Sequence, residues 1–178
     1  AKDTEFYRPM YKLAENSVSI NSLTKTYGLG PIRFGWMIGA PELIQNAKNA
    51  FQNMQGLASA PTVSIAESVF SRLDEALDGI WKARAENLPK LMEVLHHHGI
   101  EWTPPPFGIF GAFSIGMDAV DAMDRFGKPL GLLATPGGMF HSELKDYLRI
   151  AWGGSPESFE AAMPVLSQFL TSIQEGNA

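Results

Sequence analysis

The fold of this chain is decided by residues 22–36, which read SLTKTYGLGPIRFGW. This stretch carries a hydroxyl group on Ser22, an amine on Lys25 and a guanidinium group on Arg33, in a glycine-rich connection between two strand-like segments. Glycines allow a backbone to approach a ligand closely. A guanidinium group binds phosphate through two parallel hydrogen bonds, and a serine hydroxyl adds a neutral donor. The stretch therefore predicts a phosphate-binding loop that carries a lysine.

Lys25 is a candidate nucleophile in this loop. A lysine side chain has an ordinary pKa of about 10.4, so only about one amine in 2,500 is neutral at pH 7. A nearby cation or burial lowers the pKa of a lysine and releases the attacking amine. Arg33 is a candidate for that neighbouring charge.

The stretch resembles the lysine motif of class I/II pyridoxal-phosphate-dependent aminotransferases, which belong to the fold-type-I superfamily. In that family a serine lies three residues before the lysine that forms a Schiff base with pyridoxal phosphate. An arginine eight residues after the lysine binds the cofactor phosphate. Ser22, Lys25 and Arg33 stand at these positions. The resemblance implies that all three bind the cofactor, and that Lys25 is also the catalytic residue that moves the substrate's α-proton.

A second motif lies nearer the C-terminus. Residues 136–140 read PGGMF, and Arg149 follows within the strand-like residues 147–150, YLRI. This pattern is similar to the family's distal motif, in which an arginine binds the substrate α-carboxylate through two hydrogen bonds. The resemblance implies that Arg149 binds the substrate. Residues 141–143, HSE, stand where the family often has glycine, so the loop shape and the substrate preference are not implied there.

The resemblance also implies the fold and the domain organisation. It predicts an α/β chain that forms the C-terminal part of the fold-type-I transferase fold. Residues 1–60 would complete the large cofactor-binding domain, residues 61–98 would form the linking helix, and residues 99–178 would form a small α+β domain. Family chains are more than twice this length. Their phosphate loop, the aromatic residue that stacks on the cofactor and the aspartate at its ring nitrogen would precede residue 1. We therefore expect this chain by itself to be inactive.

Hydrophobic periodicity predicts the order of helices and strands. In the first part it indicates strands over 17–23 and 32–39, the second of them buried, and a helix over 41–54. Helical periodicity then runs from 61 to 98, where an unbroken helix would be about 57 Å long. This length predicts a kink near Gly79 or Pro89 or a helix that bridges two domains, and we expect both. The remaining predicted elements are strands over 108–115, 130–134 and 147–152 and helices over 118–126 and 155–173, the last disturbed at Pro164.

Composition excludes several classes of protein. The chain has 178 residues and a net charge of −5, which argues against nucleic-acid binding through phosphate contacts. It has no cysteine, which excludes disulfides, thiol nucleophiles and thiolate zinc sites. No apolar stretch approaches the roughly 20 residues of a membrane span, and the first residues are polar. We therefore expect a cytoplasmic protein without a membrane segment.

Two further features have competing interpretations. His96, His97 and His98 invite a metal site, but consecutive helical residues point about 100° apart and do not converge on one ion. We therefore predict no metal. Trp152 lies three residues after Arg149 and either packs in the core or lines a substrate entrance.

The predicted function is the transfer of an amino group between an amino acid and a 2-oxo acid, with pyridoxal 5′-phosphate as the cofactor. The family resemblance implies a homodimer in the parent protein. Two alternatives remain open. In the first alternative, the chain is a non-catalytic fragment or an interaction module. In the second, it is part of a lyase, a decarboxylase or a regulator domain with the same fold and cofactor.

Overall fold

A computed structural model describes residues 8–176. The chain divides into two compact units, one up to Leu77 and one from Asp78 onward, and each is described by itself. Helices and strands alternate along the sequence, which confirms the predicted α/β class. Within the described residues, no helix is both long enough and apolar enough to cross a membrane.

The first unit is built on an antiparallel hairpin. Strand β1 (Val18–Ser22) pairs with strand β2 (Gly35–Gly39), so that Ser22 lies opposite Gly35. The first strand is where the sequence predicts it. The second begins three residues later than predicted, because a 3₁₀ turn (Gly30–Ile32) and a left-handed backbone at Arg33 come before it.

The prediction that β2 is buried is wrong for the described residues. Met37 is 39% exposed and Ile38 is 43% exposed, while Trp36 is half-buried. Among residues 8–176 this sheet has two strands, and a strand is buried on both faces only when other layers cover both faces. Trp36 gains its partial burial from Phe70, whose ring centroid lies 5.3 Å away.

Helix α1 (Pro41–Gln55) begins at a proline, which suits the first helical turn because its missing N–H would be unpaired there. Its predicted apolar face is only partly buried. Leu43 and Ile44 are half-buried, whereas Met54 at the far end is 83% exposed.

The predicted helix over 61–98 is two helices, α2 (Ala60–Phe70) and α3 (Leu73–His97). The break between them lies at Ser71 and Arg72, and α3 continues through Gly79 and Pro89, so the kink near these residues stays a prediction. The Arg72 N–H donates to the Val69 carbonyl at 2.8 Å. This hydrogen bond spans three residues, as in a 3₁₀ turn, whereas an α-helical bond spans four, so the α-helical series of hydrogen bonds ends here. The Ser71 hydroxyl donates to the Ser68 carbonyl, and such serine bonds compete with helical ones.

The second unit contains a three-stranded antiparallel sheet. Strand β5 (Tyr147–Ala151) lies between β3 (Phe110–Ser114) and β4 (Thr135–Pro136). One face of the sheet packs against α3 and the last helix, α6 (Pro156–Gly176). The core of this unit is formed by buried side chains, among them Leu91, Leu95, Phe113, Leu148, Trp152, Leu166 and Phe169.

The segment between β3 and β4 differs from its prediction. The expected helix over 118–126 starts as α4 (Ala119–Ala122), continues as a π-helical turn (Met123–Gly127) and extends through α5 (Lys128–Leu130). The predicted strand over 130–134 is wrong, because Leu130 ends this helix and Gly131 takes a left-handed φ of 73°.

Helix α6 begins where the sequence predicts. The Ser155 hydroxyl accepts a hydrogen bond from the Ser158 N–H at 3.3 Å, as an N-cap does. The predicted disturbance at Pro164 does not end the helix, which continues to Gly176.

Candidate active site

The hairpin fixes both ends of the loop that carries the predicted cofactor residues. Beyond the last strand pair, the Leu23 N–H donates to the Phe34 carbonyl at 3.0 Å, so the ladder extends by one more bond. Leu23 is completely buried, and its carbonyl accepts a bond from the Leu29 N–H at 2.9 Å. Ser22 and Arg33 therefore lie at the two ends of one short loop, which these hydrogen bonds anchor.

Lys25 lies in this loop and is exposed. Asn21 braces the loop on both sides of the lysine. Its Oδ1 accepts one hydrogen bond from the Ser22 N–H at 2.7 Å and another from the Thr26 hydroxyl at 3.0 Å. Sequence reasoning missed Asn21. The available signal was an asparagine at the end of a strand, a residue whose side chain often bonds to the backbone at turns.

Arg33 has an unusual backbone. Its φ of 53° is the only positive value of a non-glycine residue in the part of the chain that the structure describes. The left-handed conformation costs a non-glycine residue about 1–2 kcal/mol and tends to be retained at functional sites. The Arg33 Nη1 donates to the Gly30 carbonyl at 3.4 Å, a long bond that leaves most of its N–H groups unused.

This donor set fits a phosphate group. The Ser22 hydroxyl has no hydrogen-bond partner among residues 8–176 and is half-buried. Between Glu15 and Glu42 the sequence has no acidic residue, and Lys25 and Arg33 are both cationic. A guanidinium group and a hydroxyl without a partner among residues 8–176, at the two ends of one loop, favour an anion with several acceptor oxygens. The loop therefore suits the phosphate of pyridoxal phosphate.

Arg149 lies in the second unit, on the central strand β5. It faces Ala112 of β3 on one side and Thr135 of β4 on the other. Its Cζ lies 4.7 Å from the ring centroid of Phe110 and 5.3 Å from that of Phe140. Within residues 8–176, no carboxylate forms an ion pair with Arg149 and no acceptor takes a hydrogen bond from its guanidinium group. A half-buried cation with unused donors suits a carboxylate ligand.

The opposite face of β5 holds the strand in place. Leu148 is completely buried. Trp152 is also completely buried, and its Nε1 donates to the Gly108 carbonyl at 3.0 Å. Of the two interpretations of Trp152, the structure supports the core residue, and the substrate-entrance interpretation is wrong.

Asn87 ties helix α3 to the end of β5. Its Nδ2 donates to the carbonyl oxygens of Trp152 at 2.9 Å and Gly154 at 3.2 Å, and the residue is completely buried. Arg84, one turn earlier, donates to the Pro105 carbonyl at 2.6 Å. Burial lowers the pKa of Arg84 below its ordinary value. These bonds join α3 to the segment before β3 and to the segment after β5, the strand that carries Arg149.

Of the three histidines around the end of α3, His98 contacts helix α6. The His98 ring nitrogens lie 2.9 Å from the Ser167 hydroxyl and 3.2 Å from the Gln174 Oε1, both on α6. In the described part of the chain, no three His, Asp or Glu side chains are grouped closely enough to hold a metal ion.

The predicted site residues fall in two places. Ser22, Lys25 and Arg33 share one hairpin and its loop in the first unit. Arg149 lies on the sheet of the second unit, with Phe110 and Phe140 against it. Sequence reasoning did not place the two phenylalanines against Arg149, because the register of β3 against β5 is not readable from sequence spacing.

Comparison with known proteins identifies the family. The sequence model of aminotransferase class I and II matches residues 4–166. The chain belongs to this family. The match includes both motifs, the loop with Lys25 and the strand with Arg149, and it confirms the resemblance on which the prediction rests.

Two characterised aminotransferases illustrate the similarity. The chain is 27% identical over 160 residues to the (5-formylfuran-3-yl)methyl phosphate transaminase of Methanocaldococcus jannaschii, and the match covers 88% of this chain and 42% of that protein. It is 25% identical over 142 residues to the LL-diaminopimelate aminotransferase of Nitratidesulfovibrio vulgaris, with 76% of this chain and 35% of that protein covered. The chain thus spans about two fifths of the length of these relatives. This share agrees with the prediction that family chains are more than twice as long.

Solved structures show the same fold. A PLP-dependent aminotransferase from Streptococcus suis superimposes with a TM-score of 0.81 at 22% identity, over 91% of this chain and 44% of that one. An aminotransferase from Mycobacterium tuberculosis gives a TM-score of 0.78 at 23% identity, over 93% of this chain and 44% of that one. The fold of this chain is therefore part of the fold-type-I aminotransferase architecture.

Proposed function

We propose that the protein containing this chain is a pyridoxal-phosphate-dependent aminotransferase that moves an amino group between an amino acid and a 2-oxo acid. The observation that carries the proposal is the anchored loop of the family, in which Ser22 and Arg33 flank Lys25. The names of both relatives, a transaminase and an aminotransferase, favour transfer of an amino group over lyase or decarboxylase chemistry. They also favour it over a non-catalytic module.

Each residue has a separate task in this proposal. Arg33 binds the cofactor phosphate through two parallel hydrogen bonds, and the Ser22 hydroxyl donates a third. Lys25 would hold the cofactor covalently through its ε-amino nitrogen. When it is not bound to the cofactor, the Lys25 amine would take the proton from the substrate Cα as a general base and return a proton as a general acid. Pyridoxal phosphate, when bound, supplies an electron-withdrawing ring that stabilises negative charge at that carbon.

Arg149 orients the substrate in the same proposal. Its guanidinium group binds the α-carboxylate, and this contact fixes the direction of the Cα–H bond. The homodimer and the cytoplasmic location stay predictions, the first from the family resemblance and the second from composition.

The test is to find which lysine takes up the cofactor. The chain is incubated with a substoichiometric amount of pyridoxal phosphate, reduced with borohydride, digested and mapped by mass spectrometry. We expect the label on the Lys25 peptide, and we expect Lys25→Arg to lose it because arginine keeps the charge without the reactive amine. Lys48→Arg is the matched control, since Lys48 is exposed in the same unit. Label recovered on Lys12, Lys48 or Lys82 in place of Lys25 would overturn the assignment.

A further inference from the structure

The starting observation is the pair of aromatic rings against Arg149. Phe110 comes from β3, and Phe140 comes from the turn that follows β4. Because β3 and β4 flank β5, the two rings reach the Arg149 guanidinium group from the two neighbouring sides of its strand. Both centroids lie within 6 Å of the Arg149 Cζ, the distance at which a cation is attracted to a ring.

This arrangement restricts how a ligand can reach the guanidinium group. The group is planar, and its five N–H bonds point outward in the plane. A ring lying over the group occupies a face and leaves the edges open. A carboxylate binding to such an edge takes two parallel hydrogen bonds. Two rings within 6 Å of the Cζ limit rotation of the arginine side chain, and wherever a ring covers a face of the group, the edges stay open to a carboxylate.

The exposure of the rings adds a second property. Phe140 is 59% exposed, so a large part of its ring is available for contact with a ligand, whereas Phe110 is half-buried. A substituent on the carbon next to a bound carboxylate would then lie close to an apolar ring surface. Burying apolar surface of both partners favours binding by about 25 cal/mol per Å².

We propose that Phe110 and Phe140 are positioning residues that hold the Arg149 guanidinium group, and that Phe140 also selects monocarboxylates with an apolar or aromatic substituent. The inference rests on the proposed role of Arg149 as the carboxylate-binding residue. It adds a preference among substrates and two residues that act through Arg149.

The experiment uses the whole chain, labelled with ¹⁵N, and follows the Nε–Hε signal of Arg149 by NMR. The signal is assigned by its loss in Arg149→Lys. The probes are 3-phenylpropanoate, propanoate and the neutral 3-phenylpropanol, none of which requires the cofactor. We expect the Arg149 signal to shift with both carboxylates and not with the alcohol. We also expect the affinity for 3-phenylpropanoate to be about fivefold higher than the affinity for propanoate, because the phenyl group contacts the Phe140 ring.

Phe140→Leu removes the ring but keeps an apolar side chain, so it should lower the heteronuclear NOE of the Arg149 Nε, whereas Phe140→Tyr should keep it. Phe140→Ser removes the apolar surface and should abolish most of the preference for 3-phenylpropanoate. Phe140 is exposed, so these variants leave the core intact. Phe110→Leu should also lower the Arg149 NOE. The matched control is Phe126→Leu, because Phe126 carries the same kind of contact, with the Arg125 Cζ 4.8 Å from its ring.

The outcomes separate the two proposals. If neither carboxylate shifts the Arg149 signal, the proposed role of Arg149 is wrong, and this inference is wrong with it. If both carboxylates shift the signal with equal affinity, and Phe140→Leu behaves like Phe126→Leu, Arg149 keeps its role and the selection by Phe140 is overturned.

Discussion

One amino-acid exchange, glycine to alanine, is expected to have opposite effects at two positions of the second unit. Gly111 lies in β3 with its missing side chain directed at two tryptophans. A Cβ atom at this position would lie 2.6 Å from Cζ2 of Trp102 and 3.0 Å from Cη2 of Trp152. Trp152 has little freedom to move, because it is completely buried and its Nε1 is bonded to Gly108.

The magnitude follows from this crowding. Overpacking a well-packed core by one methyl group costs about 1–3 kcal/mol. The lower entropy of the unfolded chain returns about 0.4–1 kcal/mol when alanine replaces glycine. Because the Cβ contact at 2.6 Å is very short, the packing cost lies in the upper part of its range, about 2–3 kcal/mol, and we expect Gly111→Ala to lower the free energy of unfolding by about 1–2.5 kcal/mol. For a unit of this size, that loss lowers Tm by about 5–10 °C.

Gly79→Ala is the matched control. Gly79 lies inside α3, and nothing lies within 4 Å of the position of its Cβ. A glycine inside a helix costs about 0.5–1 kcal/mol relative to alanine, so this variant should raise Tm by a few degrees. Thermal and urea unfolding are followed by far-UV circular dichroism, because fluorescence of Trp102 and Trp152 would report the local change itself. A Gly111→Ala chain as stable as the unmodified chain would refute the reasoning.

Three further predictions concern the cofactor loop, the buried asparagine and the chain as a whole. Arg33→Ala should weaken retention of pyridoxal phosphate more than Ser22→Ala in a spectroscopic titration, since each hydrogen bond to a charged group contributes about 1.5–3 kcal/mol and arginine offers two; equal losses would mean that other groups dominate the phosphate site. Asn87→Asp would turn a buried carboxylate towards the carbonyl oxygens of Trp152 and Gly154, which raises the pKa of that carboxyl above its ordinary value. We therefore expect a loss of about 3 kcal/mol in urea unfolding at pH 7 that shrinks as the pH falls towards 4, and a pH-independent loss would contradict this cause. The chain by itself should show no transamination with pyridoxal phosphate and a panel of amino and 2-oxo acids, because it spans about two fifths of its relatives; turnover like that of a complete aminotransferase would contradict the expectation.

The features that were predictable from sequence are those that depend on local spacing. The serine-lysine-arginine spacing of residues 22–33 and the strand around Arg149 identify the family from the sequence alone. The cap at Ser155 was predictable for the same reason, because an N-cap depends on residues within one helical turn.

The features that were not predictable depend on residues distant in sequence. Phe110 and Phe140 are 30 residues apart in numbering and meet at Arg149 because β5 lies between β3, which carries Phe110, and β4, which precedes Phe140. The burial of Trp152 depends on Asn87 and Gly108 in the same way. The break at Ser71 was missed for another reason. The helix ends with a backbone hydrogen bond from Arg72 to Val69 and a side-chain hydrogen bond from the Ser71 hydroxyl, at a point where no glycine or proline marks a boundary.

The left-handed backbone at Arg33 has a consequence for how this position responds to selection. Glycine adopts that conformation without the cost of about 1–2 kcal/mol that a side chain imposes. A library randomised at position 33 and sorted only for resistance to heat should therefore become enriched in glycine. The same library sorted for capture of a phosphorylated ligand should keep arginine. Selection for thermal stability and selection for ligand binding would then favour different residues at position 33, whereas most positions in the loop do not distinguish the two.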